Sequence, residues 1–384
     1  MNSRLRFARL SLLLLLTACF LGWTLWATDE RTAAGPLAES LAALNSAGFL
    51  QATQPGQAAG PKSPASEIDP LFLVVKDGKW GYIDKTGQII IPPQYSIAHG
   101  FSEGLAPVKT GDKWGYIDKT GQMVIPPHYD FAGEFSEGLA AVKTGGKLGF
   151  IDKTGQMVIP PPLRYSYSRM FMIFVLPRFS EGLANVQVQK GDIWGYIDKT
   201  GRMVIPPQYS DANRFSEGLA AARVGGKWGY IDKTGRMVIP PQYVWVQAFS
   251  EGLAAVRVKK IGYIDKTGQM VIPPQYDGAL GFSEGLAAVN KGDKWGYIDQ
   301  TGRMVIPPQY SDAVGFSEGL AAVKTGDKWG YIDQTGRMVI PPQYKFAFGF
   351  SEGLARVWVG YKIGYIDKTG KYVWAPTSEF SAKP

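Results

Sequence analysis

The chain has little with which to do acid–base, redox or metal chemistry: one cysteine and two histidines in 384 residues. A single cysteine, Cys19, excludes an intramolecular disulfide and any metal site built on paired thiolates. The histidines, His99 and His128, occupy non-equivalent places and form no catalytic or zinc-binding set with regular spacing. Runs of like charge are also missing. Three of the 41 basic residues (Arg4, Arg6, Arg9) stand at the N-terminus, and without them the excess over 33 acids falls from eight to five. Lys and Arg then alternate with Asp and Glu, the mark of a mixed solvated surface and not of a nucleic-acid footprint. Glycine (47) and proline (26) fall short of a disordered Gly/Pro tract, and 13% aromatic residues argue for packing. Many short strands joined by tight turns fit this composition.

The one long hydrophobic run is Leu10–Ala27, preceded by the three arginines. Positive then apolar is the order of a signal peptide, and 18 residues also suffice for a membrane-spanning helix. Leu16-Thr17-Ala18-Cys19 adds a third reading, a lipobox whose Cys19 is a candidate lipidation site, although Phe20–Trp26 stays hydrophobic after it. Residues 1–27 are therefore a signal peptide or membrane anchor, expected as a hydrophobic helix. All three readings place the rest of the chain outside the cytoplasm: periplasmic, membrane-anchored or secreted. Residues 28–70, rich in Ala, Pro and Gln, read as a flexible, disordered linker.

From Leu71 the sequence repeats. A glycine before an aromatic recurs at Gly81, Gly115, Gly149, Gly195, Gly229, Gly262, Gly296, Gly330 and Gly364, with spacings of 34, 34, 46, 34, 33, 34, 34 and 34. One unit reads KWGYIDKTGQMVIPPHYDFAGEFSEGLAAVKTGG. The signature WGYIDKTG…VIPP…FSEGLAAV over residues 71–376 resembles the bacterial WG repeat family. That resemblance implies a β-rich repeat; it implies no reaction, ligand or functional residue. Residues 377–384 remain as a tail.

Within a unit, WGYID alternates like a strand, DKTG supplies a turn with Asp at its first position and Gly at its fourth, and MVI is the return strand. Pro-Pro is expected to stop it, since proline cannot donate to a ladder. FSEG forms a second turn and LAAV a third strand. Such a unit is too small to stand alone, so stability must come from its neighbours. The expected fold is an all-β tandem array of about nine units, a β-hairpin solenoid or superhelix; a closed β-propeller-like ring is the alternative, disfavoured because 34 residues is short for a four-stranded blade. Trp fills the first WG position in six of nine copies, with Leu148, Ile261 and Ile363 in the others, which marks it as core. The invariant glycine points to a close approach of backbone.

No catalytic, cofactor or metal site is expected. The DKTG aspartates offer one carboxylate per turn, too few oxygens for calcium, and read as turn caps. The FSEG glutamates must be solvated or paired with the recurrent lysines. The sharpest irregularity is in the third copy, where about 12 residues are added and PLRYSYSRMFMIFVLPR precedes Phe179. Insertions in repeat arrays map to loops on one face, often the binding face. Tyr165, Tyr167, Arg169, Met170, Phe171, Met172 and Phe174 are of the types enriched at interfaces and are the candidate partner-binding residues, against an extended hairpin packed on its own repeat. The pattern suggests a non-enzymatic extracytoplasmic scaffold binding a protein or envelope polysaccharide, associated with the membrane through its N-terminus; the alternative is an envelope spacer without a specific ligand. A varied strip between VIPP and FSEG (Asp130-Phe131, Asn213-Arg214, Val244-Trp245, Lys345-Phe346) would favour binding, and a bland one the spacer. Alkaline phosphatase fused after residue 70 is expected to be active; an inactive fusion refutes the extracytoplasmic assignment.

Overall fold

The structure, a computed structural model, describes residues 70–161, 165–166, 176–188 and 193–375. The leader, linker and tail lie outside them, so the expected N-terminal helix and Cys19 find no test here. Every described element is a strand. β1 (Phe72–Lys76), β2 (Lys79–Ile83) and β3 (Ile89–Tyr95) form a three-stranded sheet. Next, β4 (Ile97–Ala98), β5 (Leu105–Thr110), β6 (Lys113–Asp118) and β7 (Met123–Tyr129) form an antiparallel four-stranded sheet in chain order. Seven further four-stranded sheets repeat this meander, giving nine blades.

The sequence pattern predicted three strands per unit. The fourth arises because Pro-Pro does not end the return strand: β7 runs on to Tyr129. It can do so because it is an edge strand, where proline's missing donor is harmless. The register shows the accommodation. Tyr116 pairs with Ile125 and Trp114 with Tyr129, so Pro126-Pro127-His128 bulge out between two paired rungs. The bulge folds over the WG glycine: a Cβ on Gly330 would sit 2.5 Å from the Ile340 carbonyl oxygen and 2.8 Å from Pro342 N. After Tyr129 a single residue, Asp130, leads to Phe131–Ala132, the first strand of the next blade. A two-residue strand and a one-residue connector fit four strands into 34 residues.

Each blade grips the next through the same contacts. The buried tyrosine of WGY packs on the phenylalanine of the next blade's FSEG, as in Tyr116–Phe135 at 5.0 Å between ring centroids. Its hydroxyl donates to a carbonyl 17 residues on: Tyr116 to Gly133 (2.8 Å), Tyr230 to Gln247 (2.6 Å), Tyr297 to Val314 (2.8 Å). The FSEG serine donates to the next FSEG phenylalanine carbonyl, from Ser102 to Phe135 (2.7 Å) round to Ser317 to Phe350 (2.5 Å).

The array closes on itself. Tyr365 of blade nine donates to the Leu73 carbonyl of blade one at 2.9 Å and packs on Phe72 at 5.5 Å. Val74 and Ile83 share one buried cluster with Leu354 and Tyr365. The arrangement is a nine-bladed β-propeller ring, which corrects the expected open solenoid or superhelix. The seam differs because blade one lacks, among the described residues, a first strand and its FSEG turn. In blade two the carbonyl of Pro107, equivalent to Leu73, accepts the His99 amide; in blade one, without that first strand, Leu73 accepts the Tyr365 hydroxyl instead.

The turns behave as their residues dictate. Asp118 Oδ1 accepts from Thr120 N (2.9 Å), Thr120 Oγ1 (2.6 Å) and Gln122 N (3.0 Å), so the DKTG carboxylate is consumed as a cap. In FSEG, Ser102 and Leu105 exchange backbone bonds around Glu103 (φ 52°) and Gly104 (φ 90°), a tight hairpin with two left-handed residues. Glutamate is an uncommon occupant of that region. The carboxylate compensates: Glu217 accepts the Gly252 amide of the next blade at 3.0 Å and pairs with Lys266 at 3.0 Å. Where lysine gives way to Gln300 and Gln334, an amide takes the same place against Glu251 (3.1 Å) and Glu284 (3.3 Å). Of the two expected states, solvated or paired with the recurrent lysines, five glutamates (Glu103, Glu137, Glu181, Glu217 and Glu318) adopt the second, and Glu352 is exposed.

Gly330→Ala is expected to destabilise the fold by about 3 kcal/mol, since a methyl cannot enter without moving the bulged backbone. Thermal melting checks this; an unchanged midpoint would show that the bulge yields freely.

Candidate binding surface

Apart from Phe150 in blade three and the seam, the contacts that hold the ring use equivalent atoms from blade to blade, so the candidate functional positions are those where copies differ. One such place is the pair of residues just before each FSEG phenylalanine, whose backbone is held in most blades by the tyrosine and serine bonds described above. The residue directly before phenylalanine is Gly100, Ala248, Gly281, Gly315 or Gly349 in five blades, but Glu134, Arg178 and Arg214 in three consecutive ones.

Arg178 and Glu134 form an ion pair, both largely removed from solvent. Burial pushes the Arg178 guanidinium down to about 10, helped by the neighbouring Arg214, which burial also lowers. His99, two blades before Arg178, lies edge-on to Trp114 at 5.0 Å and to Phe131 at 6.4 Å. Burial, then the field of Arg178, hold its imidazole down at about 4. These groups from consecutive blades therefore share one electrostatic neighbourhood. Asp211, three residues before Arg214, is raised by its own burial, as is the equivalent Asp312 in blade eight.

A second irregular surface lies on blade nine. Its first strand, Phe346–Ser351, has six residues where other blades have two. Phe346 (42% exposed) meets Trp358 edge-on at 6.1 Å, and Tyr361 (65% exposed) lies under Lys345 at 4.3 Å. Arg356 stacks on Phe348 at 4.3 Å. The strip between VIPP and FSEG is correspondingly varied. Asp130 binds Lys113 (2.5 Å) and the Gly145 amide (2.7 Å), Phe131 packs on Trp114 (5.4 Å), Val244 is exposed and Trp245 carries Arg257 at 5.7 Å.

Of the residues proposed from the insertion, only Tyr165 is described, as backbone in a two-residue strand paired with Val188. Tyr167, Arg169, Met170, Phe171, Met172 and Phe174 lie outside the described residues. The ends of the insertion are placed. Ser166 pairs with Gln187 as Ile97 pairs with Lys109, and Leu176 returns to the core position that Ala98 fills in blade two. The excursion therefore opens inside the first strand of its blade. Not all 12 extra residues belong to it: four residues separate the paired Val188 and Ile193, where two separate Thr110 and Lys113. Among the described residues, no group of three or more His, Cys, Asp or Glu could hold a metal ion.

The WG containing repeat model matches eight segments, 80–114, 114–147, 149–171, 194–228, 228–260, 261–295, 295–329 and 329–362. The chain belongs to the WG repeat family. Among curated proteins none matches this WG repeat protein. Several solved structures are similar in fold only. Dihydro-heme d1 dehydrogenase NirN in complex with DHE is 16% identical over 74% of this chain and 76% of its own, with a TM-score of 0.43. Apo AztD from Citrobacter koseri is 14% identical over 82% and 94%, with a TM-score of 0.37. Hsv2p of Kluyveromyces lactis is 10% identical over 60% and 89%, also with a TM-score of 0.37. At such values none of these carries an argument about what the WG repeat protein does.

Sequence reasoning named Asn213-Arg214 and quoted the segment that ends in Arg178, but missed Glu134 and the burial of His99. The signal available was a charged residue three times running where other copies have glycine or alanine. Because His99 titrates near 4 when folded and near 6.5 when free, the unfolded chain takes up its proton first as pH falls. Stability from neutral His99 is full above about pH 6.5 and declines down to about pH 4. His99→Gln is expected to flatten that part of the stability–pH curve in denaturant titrations; a slope equal to the parent's would place the histidine in solvent.

Proposed function

We propose that this WG repeat protein is a non-enzymatic binding scaffold, held outside the cytoplasm by its N-terminal segment, whose ring presents varied side chains to a protein or polymer of the cell envelope. The observation that carries the reading is the division of labour within each repeat. Backbone bonds and buried rings recur, while the strip between VIPP and FSEG changes from charged in blades three to five to aromatic in blade nine. A spacer needs the first set alone. Arg, Trp, Tyr and Phe are also the side chains that supply most interface energy. The insertion fits the same reading: its return is anchored by Leu176 in the core and by the Arg178–Glu134 pair.

The test is a pull-down of tagged full-length protein from the native envelope, with bound proteins and glycans both identified. Replacing Met170, Phe171, Met172 and Phe174 with Ser is expected to leave strand content and melting unchanged and to remove the captured partner. Such anchors are worth about 2 kcal/mol or more each. A variant that melts several degrees lower would make the insertion part of the core; one that melts normally and keeps every partner would move the binding surface elsewhere on the ring.

A further inference from the structure

The charged positions before FSEG do not balance. Blades three, four and five bring together two guanidinium groups, Arg178 and Arg214, and one carboxylate, Glu134, which Arg178 takes. Arg214 has no hydrogen-bond or ion-pair partner among the described residues. Other arginines of the ring have partners: Arg303 binds Asp299 at 3.0 Å, Arg356 stacks on Phe348, and Arg257 donates to the Asp277 carbonyl at 3.0 Å, although Arg223 also keeps a buried Nε without a hydrogen bond. Nor can the insertion supply the missing charge. The sequence contains no acidic residue between Asp152 and Glu181, and the insertion adds Arg164 and Arg169. The neighbouring Asp211 is engaged otherwise: it accepts the Ala212 amide at 2.9 Å and stands opposite Arg223 in the strand pair.

Arg214 is also held in place. Its two neighbours in the chain are fixed from the preceding blade: Tyr196 donates to the Asn213 carbonyl at 2.6 Å, and Ser180 to the Phe215 carbonyl at 2.8 Å. The Asn213 amide donates in turn to the Ala221 carbonyl at 2.9 Å. Arg178 has the serine half of this support, Ser136 donating to the Phe179 carbonyl at 2.7 Å. A guanidinium partly withdrawn from water, rigidly based and lacking a counter-charge costs free energy unless an anion restores the balance. Its planar fork matches two oxygens of one acceptor better than a point charge would.

We infer that Arg214, with Arg178 beside it, forms a binding position for a single oxyanion, a carboxylate or a phosphate, belonging to the ligand of the scaffold. The inference deepens the scaffold reading and rests on it for the identity of the whole ligand. The position binds a small anion by itself, so the two can fail separately.

Isothermal titration of the full-length protein with inorganic phosphate, and in parallel with citrate, tests this. Saturable one-site binding is expected for at least one probe, and the stronger of the two tells phosphate from carboxylate. Arg214→Ala should weaken it about tenfold or more, the loss of a charge-assisted bidentate contact. Arg303→Ala, which removes an exposed arginine already paired with Asp299, should not change it. Glu134→Gln, which removes the competing carboxylate, should strengthen it. Melting curves accompany every variant, and Arg214→Lys, which keeps charge without the fork, substitutes if the alanine variant is unstable. Folded protein that binds neither probe up to about 10 mM overturns the inference. So does an affinity that Arg214→Ala leaves unchanged, or that Arg303→Ala lowers equally. An envelope partner still captured after such a result would leave the scaffold reading standing without this position.

Discussion

A tyrosine ring buried between two sheets must still find an acceptor for its hydroxyl, because an unpaired polar group in a dry interface costs about 1–3 kcal/mol. That requirement organises the WG repeat protein. The acceptor is a carbonyl on the next blade, 17 residues on, as for Tyr116 and Gly133. The bond sets how far apart and at what angle consecutive blades sit. The phenylalanine of FSEG fills the space beside the ring, and the serine after it ties the turn to its neighbour. The third copy shows what the hydroxyl adds: Phe150 stands there and packs on Phe179 at 5.1 Å, so stacking survives without the bond, in the blade interface that also buries Leu176.

Much of this was legible in the sequence because short-range chemistry decides it. Period, turns, the invariant glycine and the cap role of Asp118 follow from residue types a few positions apart. Two things were not legible. Pro126-Pro127 reads as a strand end until one knows that the strand lies at a sheet edge, where its free side asks for no donor. Closure depends on a contact between residues 292 apart, Tyr365 and Leu73, and nothing in a single unit reveals whether its small rotation accumulates into a helix or a circle.

The candidate site divides in the same way. Varied positions could be picked out by aligning the copies, and Arg178 and Arg214 were visible in that manner. Their joint effect on one another and on His99 was not, because it requires knowing that consecutive blades bring the residues before FSEG close together. Internal copies serve here as their own substitution series. Where Lys becomes Gln300 or Gln334 the contact to the glutamate carboxylate persists as a hydrogen bond from a neutral amide, so at these interfaces geometry outlasts the donor's charge.

The one-residue connector between blades has a consequence for the gene. Near-identical tandem copies invite unequal recombination, which adds or removes whole units without disturbing any turn or strand. In an open stack such changes are graded, each copy lengthening the rod by one step. In a ring they are not: where a single residue such as Asp130 joins blades there is no slack to absorb a changed pitch, and Tyr365 meets Leu73 only when the rotations sum to one full turn. Copy number in this chain is therefore a closure condition, and variants with one unit more or fewer must either re-angle every interface together or leave the seam open.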